Sequence, residues 1–85
     1  MYSVELSRQA QKYYASVDVA TARRLAQAFE TLEENPRPPG CAALHGELEG
    51  KWQLRVGSFR IIYEVHDAER RVRVVKTGPR GDAYK

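Results

Sequence analysis

The sequence predicts an α+β fold, an N-terminal strand and a two-helix hairpin followed by an antiparallel meander with the helices on one face of the sheet, and three observations predict it. The chain opens on a short run of alternating apolar and polar residues. Two segments with helical spacing follow, and beyond a proline-rich loop the pattern alternates again in the manner of strands. The 85 residues support one domain, residues 1–85, with one core.

In Tyr2–Leu6, the apolar Tyr2, Val4 and Leu6 alternate with Ser3 and Glu5, the period of a half-buried strand. Ser7 is then placed as an N-cap, because its hydroxyl can accept from an orphan N–H of the first helical turn. Ala10, Tyr13, Tyr14 and Val17 recur at i, i+3, i+4 and i+7, one face of a helix. Asp18 ends that helix and caps a second one, whose apolar stripe is Leu25, Ala28, Phe29 and Leu32. Arg23, Arg24, Gln27, Glu30, Glu33 and Glu34 fall largely on its other face. The short break between the two segments predicts an αα-hairpin. Asn35-Pro36-Arg37-Pro38-Pro39-Gly40 stops the second helix, since proline lacks the N–H and disfavours α geometry in the residue before it.

The second half reads as strands. Trp52, Leu54 and Val56 alternate with Lys51, Gln53 and Arg55; Gly57-Ser58 makes a tight turn; Phe59–Val65 is a β-branched and aromatic run. Asp67–Arg70 turns again, and Val72–Thr77 forms the last strand. Connections this short between successive strands imply an antiparallel meander. The order is therefore strand, helix, helix and three strands.

Composition bounds the function. Fourteen Lys and Arg against eleven Asp and Glu give a net charge of +3, which suits an anionic partner. Cys41 is the only cysteine, so no intrachain disulfide can form, and a reducing, cytoplasmic location is expected. The opening MYSVELSRQAQKYY lacks the basic and then apolar pattern of a signal peptide, and no apolar stretch nears the roughly 20 residues of a membrane helix. His45, His66 and Cys41 are not at zinc-ligand spacing, so neither a metal nor a cofactor is expected. Cys41 is read as structural or incidental, His66 as a surface or turn residue, and Trp52, Tyr13 and Tyr14 as core.

Strand period fixes where the cations point. With Trp52, Leu54 and Val56 facing the helices, Lys51, Gln53 and Arg55 face away, and the hairpin brings Arg60 near Arg55. Arg70, Arg71 and Arg73 read as ordinary solvated residues around a turn. Arg80 and Tyr84 follow the last strand, in Thr77-Gly78-Pro79-Arg80-Gly81-Asp82-Ala83-Tyr84.

Three segments carry a resemblance: Tyr2–Ser7, the run Trp52-Gln53-Leu54-Arg55-Val56-Gly57-Ser58-Phe59-Arg60-Ile61-Ile62-Tyr63-Glu64-Val65, and the tail Thr77–Tyr84. In this order they resemble the RelE/ParE superfamily of toxins from bacterial type II toxin–antitoxin systems, over nearly the whole chain. The resemblance implies a RelE-like ribosome-dependent mRNA endonuclease. Its partners would be a cognate antitoxin and ribosome-bound mRNA, with operator DNA reached only through the antitoxin. The resemblance assigns Lys51 to holding the scissile phosphate, with Arg55 adding charge beside it, and Arg60 to stabilising the charge on that phosphate. It assigns Arg80 to protonation of the leaving oxygen and Tyr84 to activation of the 2′-hydroxyl. Gln53 stands where some relatives carry a second lysine, and Pro79 where several carry a histidine. Two alternatives stay open: a ParE-like, non-enzymatic inhibitor of DNA gyrase, and a degenerate toxin that acts only with its antitoxin in operon repression.

The chemistry is consistent with that set. Cleavage by 2′-hydroxyl attack needs a base, stabilisation of the phosphate's extra charge, and an acid for the 5′-oxygen. Clustered Lys and Arg serve the second need by charge-assisted hydrogen bonds. A tyrosine, with an ordinary pKa of about 10, becomes a better base inside a cluster of cations. A site without an ideal acid and base leans on positioning, which agrees with a substrate presented in a fixed shape by the ribosome.

Overall fold

The computed structural model describes residues 1–79. β1 (Ser3–Leu6) leads into α1 (Arg8–Ser16) and α2 (Val19–Glu34). After the proline-rich loop come β2 (Ala42–Ala43), β3 (Trp52–Val56), β4 (Phe59–His66) and β5 (Arg71–Pro79). Single 3-10 turns, Gly46–Leu48 and Asp67–Glu69, precede β3 and β5. The strands form one mixed sheet in the order β1-β5-β4-β3-β2. β3, β4 and β5 make the antiparallel meander that the short turns predict.

β1 pairs in parallel with β5, Ser3 opposite Arg71 and Leu6 opposite Val74. The chain then leaves the sheet at Ser7, whose extended backbone (φ −64°, ψ 167°) makes it the N-cap of α1. The Ser7 hydroxyl accepts from the Ala10 amide at 3.2 Å and donates to the Val75 carbonyl at 2.6 Å. Gln9 continues the pairing with its side-chain amide: Nε2 donates to the Thr77 carbonyl at 2.9 Å, and Oε1 accepts from the Thr77 amide at 3.0 Å. Two side chains at the start of α1 thus take over where β1 stops, and satisfy β5 backbone groups that would otherwise lack a strand neighbour.

Val17, read above as the last member of the first helical stripe, lies just past the helix in an extended conformation and still packs on the core. Asp18 stands at the N-cap of α2, as expected. The core joins Ala10, Leu25, Ala28 and Leu32 of the helices to Leu54, Phe59, Ile61, Tyr63, Val72 and Val74 of the sheet. Each such Leu, Ile or Val contributes about 1.5–3 kcal/mol by leaving water. Tyr14 meets Phe29 edge to face across the helix pair, ring centroids 5.9 Å apart. Trp52, Tyr13 and Tyr14 pack on the core as predicted, though only partly buried.

Two features depart from the sequence reading. β2 is a two-residue strand pairing with Trp52 and Gln53; two alanines flanked by loop residues carry no strand signal. β5 contains a register shift opposite Ile62/Tyr63. Val72 and Val74 point to the helices; a strict period of two would send Lys76 inward with them. The irregularity instead turns Thr77 inward, where it is 1% exposed, and places Lys76 opposite Ile62 on the other face.

Candidate functional site

The helices cover one face of the sheet; on the opposite, open face, which no described helix covers, the strand register sets cross-strand rows in which Arg60 and Ile62 are nevertheless buried. Nearest the β3–β4 turn, Arg55 lies directly opposite Arg60, which is opposite Gly78. The next row is Gln53, Ile62 and Lys76. Farther from the turn Glu64 is opposite Arg73, which is opposite Glu5.

The turn that aligns the first row is a two-residue hairpin, with Val56 opposite Phe59. Gly57 takes φ +59°, while Ser58 keeps an ordinary negative φ. That is the pattern of a type II′ turn, whose twist matches the flanking strands. A side chain at Gly57 would be strained by that φ and would also approach Arg24 Nη1 to 3.4 Å. Arg24 of α2 is therefore carried to the tip of the hairpin. It joins Arg55 in lining a groove of about 290 Å³ between α2 and the outer edge of β3, floored by Leu54 and walled by Pro38 and Pro39.

The predicted residues fall as follows. Arg55 and Arg60 are brought together, Arg55 exposed and Arg60 only 8% exposed. Lys51 precedes β3 on the same face, and its Nζ lies 3.4 Å from Glu64 Oε2. Arg80 and Tyr84 lie outside the described residues. β5 runs to Pro79, which is in register with Phe59.

Sequence reasoning missed Lys76, because the register shift that exposes it to the open face is a tertiary feature. It also missed the partners of Lys51. Glu64 Oε1 lies 3.2 Å from His66 Nε2, so one carboxylate is shared between His66 and Lys51. Burial would push the Glu64 carboxyl up, but the hydrogen bonds from His66 and Lys51 outweigh it and hold the carboxyl below its ordinary value. His66 is thus engaged at the site's margin rather than being a plain turn residue. The signal was available: Glu64 and His66 are two apart on one strand and must share a face.

A second cluster sits at the opposite end of β4. Arg37 of the proline-rich loop reaches Asp67 with its two terminal nitrogens, Nη1 at 3.2 Å and Nη2 at 2.9 Å, and stacks over Trp52 at 5.2 Å from the ring centre. The Tyr2 hydroxyl donates to Asp67 at 2.6 Å. Hydrogen bonds from Arg37 and Tyr2 lower the Asp67 carboxyl to about 2. This cluster ties β1, the loop and the β4–β5 turn together. Arg71, taken as solvated, bridges Glu5 and Glu69. Cys41 is partly buried, packed against the core and not in a disulfide.

Among the described residues no group of three or more His, Cys, Asp or Glu side chains is placed to hold a metal ion. Nor is any described helix long and apolar enough to cross a membrane.

A five-stranded mixed sheet of this topology, with two helices on one face and several cations on the other, defines a small α+β protein. The chain belongs to the RelE/ParE superfamily of toxins of type II toxin–antitoxin systems: the family described as the ParE toxin of the type II toxin–antitoxin system parDE matches residues 4–84. Among solved structures it is similar to the archaeal RelE of the RelE–RelB complex from Pyrococcus horikoshii. That match has 30% identity and a TM-score of 0.82, and covers 96% of this chain and 98% of that one. It is similar in fold to a chain of the toxin–antitoxin complex RelBE2 from Mycobacterium tuberculosis (24% identity, TM-score 0.80, 93% and 98% covered). The isolated RelE toxin of E. coli shares the fold as well (20% identity, TM-score 0.78, 99% and 92% covered). A sequence comparison with curated proteins found no match.

Proposed function

We propose that this toxin is a ribosome-dependent mRNA endonuclease that inhibits translation by metal-independent cleavage through 2′-hydroxyl attack. The observation that carries the reading is the direct opposition of Arg55 and Arg60 on the open face, with Lys76 one row away. Two guanidinium groups on adjacent strands stand about 5 Å apart at their Cα atoms, a spacing at which both reach one phosphodiester. Placed there, they stabilise the charge that develops on the phosphate during attack. Lys51 extends the grip along the strand. By the resemblance, Arg80 protonates the leaving oxygen and Tyr84 activates the 2′-hydroxyl.

The proposed partners are a cognate antitoxin and ribosome-bound mRNA in the cytoplasm, with operator DNA reached only through the antitoxin. Relatives of this fold have been crystallised as toxin–antitoxin complexes, which supports the first of these. Induction of the toxin in cells tests the reading. Translation should stop, primer extension should map cuts within translated codons, and Arg60→Lys should abolish them.

A second reading has its own support, because the matching family is the ParE toxin. A ParE-like inhibitor would act on DNA gyrase without cutting RNA. Induced cells would then show an SOS response and altered supercoiling with intact mRNA.

A further inference from the structure

The cation assigned to the phosphate at the start of β3 already has an anion. Lys51 Nζ lies 3.4 Å from Glu64 Oε2, with the two side chains 25% and 29% exposed. The register makes the contact: Trp52 is opposite Tyr63, so the residue before Trp52 meets the residue after Tyr63. The second oxygen of Glu64 is held by His66 at 3.2 Å, and on its other flank Glu64 is opposite Arg73. The two rows nearer the turn, which contain Arg55, Arg60 and Lys76, contain no acidic residue.

We propose that Glu64 is a built-in competitor for the phosphate: its carboxylate occupies Lys51, and a phosphodiester engages Lys51 only by displacing it. The inference rests on the phosphate-binding reading given above and names the group that tunes that site.

Carboxylate and phosphate oxygens make the same demand on an ammonium group, so both cannot hold one Lys51 Nζ at full strength. Lysine suits such an exchange. Its charge sits on a flexible stem with three rotatable donors, unlike the rigid fork of arginine. The pair is partly buried and is therefore screened less than an exposed one. Glu64 is not stranded when Lys51 leaves, because His66 and Arg73 remain beside it. The arrangement penalises a lone anion and favours an extended one that also engages Arg55 and Arg60.

Inorganic phosphate is the probe. At constant ionic strength, the 13Cε shift of Lys51 is followed during phosphate titration of the wild type and of Glu64→Gln, which keeps the shape and removes the charge. The midpoint in Glu64→Gln should fall about twofold to fivefold, the scale of one weak ion pair. Placing Glu64→Gln in a Lys51→Met background, with phosphate binding read by calorimetry, separates displacement from a field effect. There the substitution should change affinity by less than about twofold, since pairs acting through each other are non-additive.

An unchanged or raised midpoint overturns the proposal; a raised one would mean that Glu64 orients Lys51 for the substrate. Absence of any Lys51 response to phosphate in both proteins overturns it as well. So does a gain that persists in Lys51→Met, which is then a through-space effect. Failure of the RNA reading has a different signature: Arg55→Ala and Arg60→Lys would leave the binding of a single-stranded RNA oligonucleotide unchanged, whatever phosphate does at Lys51.

Discussion

The hydroxyl of Tyr63, in the middle of the sheet, donates a 2.8 Å hydrogen bond to the carbonyl of Pro36 in the loop that ends α2. The side chain is wholly buried, and that burial pushes its ionisation well above the ordinary value of 10.0. The bond fastens the proline-rich loop to the sheet at a point where no water can replace it.

Tyr63→Phe should keep the ring and orphan the Pro36 carbonyl. The expected cost is about 1–3 kcal/mol, the penalty of a buried polar group without its partner. For a domain of this size each kcal/mol lowers Tm by about 4–8 °C, so thermal unfolding resolves it. The phenol is protonated in the folded state at pH values where the unfolded chain would lose its proton. Its contribution is therefore complete below pH 10.0 and is lost progressively as pH rises past it. That alkaline loss should be smaller in Tyr63→Phe.

Asp67 gives the opposite sign. Hydrogen bonds from Arg37 and Tyr2 hold its carboxyl at about 2, below the ordinary 3.8. A depressed carboxyl contributes stability that is present above 3.8 and lost as pH falls through about 2. Acid unfolding of the wild type should show this loss, and Asp67→Asn should not. The side-chain carbon resonance of Asp67, followed by NMR, should titrate near 2 and move toward 3.8 in Arg37→Ala.

Leu25 of α2 has no exposure and packs where both helices meet the sheet. Leu25→Ala should cost about 2–5 kcal/mol, from lost transfer energy and the cavity left behind. Against a total stability of about 5–15 kcal/mol, that is enough to leave a large unfolded fraction under mild urea. Chemical denaturation with an unchanged slope would confirm that the core alone was weakened.

Arg55 is exposed and its removal should leave the fold intact. On the RNA reading, Arg55→Ala should weaken binding of single-stranded RNA and reduce the salt slope by about 0.7, the value for one phosphate contact on a single strand. Glu30→Ala, on α2, changes charge to the same extent away from the open face and should leave the slope unaltered. Filter binding across a range of salt concentrations reads both.

Much of this fold was legible in the pattern of residues. Alternation in Tyr2–Leu6 and Trp52–Val56, and the stripe of Leu25, Ala28 and Leu32, specify faces directly, and those faces are the ones buried. Ser7 was readable as a cap because capping is local chemistry; Asp18 falls at the N-cap position of α2 but makes no side-chain capping hydrogen bond there. β2 was not legible, since two alanines become a strand only through their neighbour. Lys76 was not legible either, because a shift in register between β4 and β5 reverses its side, and register belongs to the pair of strands. Within the site, the opposition of Arg55 and Arg60 followed from a two-residue turn. The capture of Lys51 by Glu64 required knowing that β3 and β4 pair at Trp52 and Tyr63.

The parallel pairing of the first strand with the last has a consequence in time. Ser3 finds its neighbour Arg71, and the Ser7 hydroxyl the carbonyl of Val75, each across a separation of 68 residues. Contacts so distant along the chain form late, after the cost of closing a long loop has been met. During synthesis β1 has no strand to join until β5 has left the ribosome, so a growing chain holds its opening strand and helix without their permanent seat. A protein proposed to silence the machinery that makes it is, by its own topology, kept unfinished until that machinery has reached its last strand.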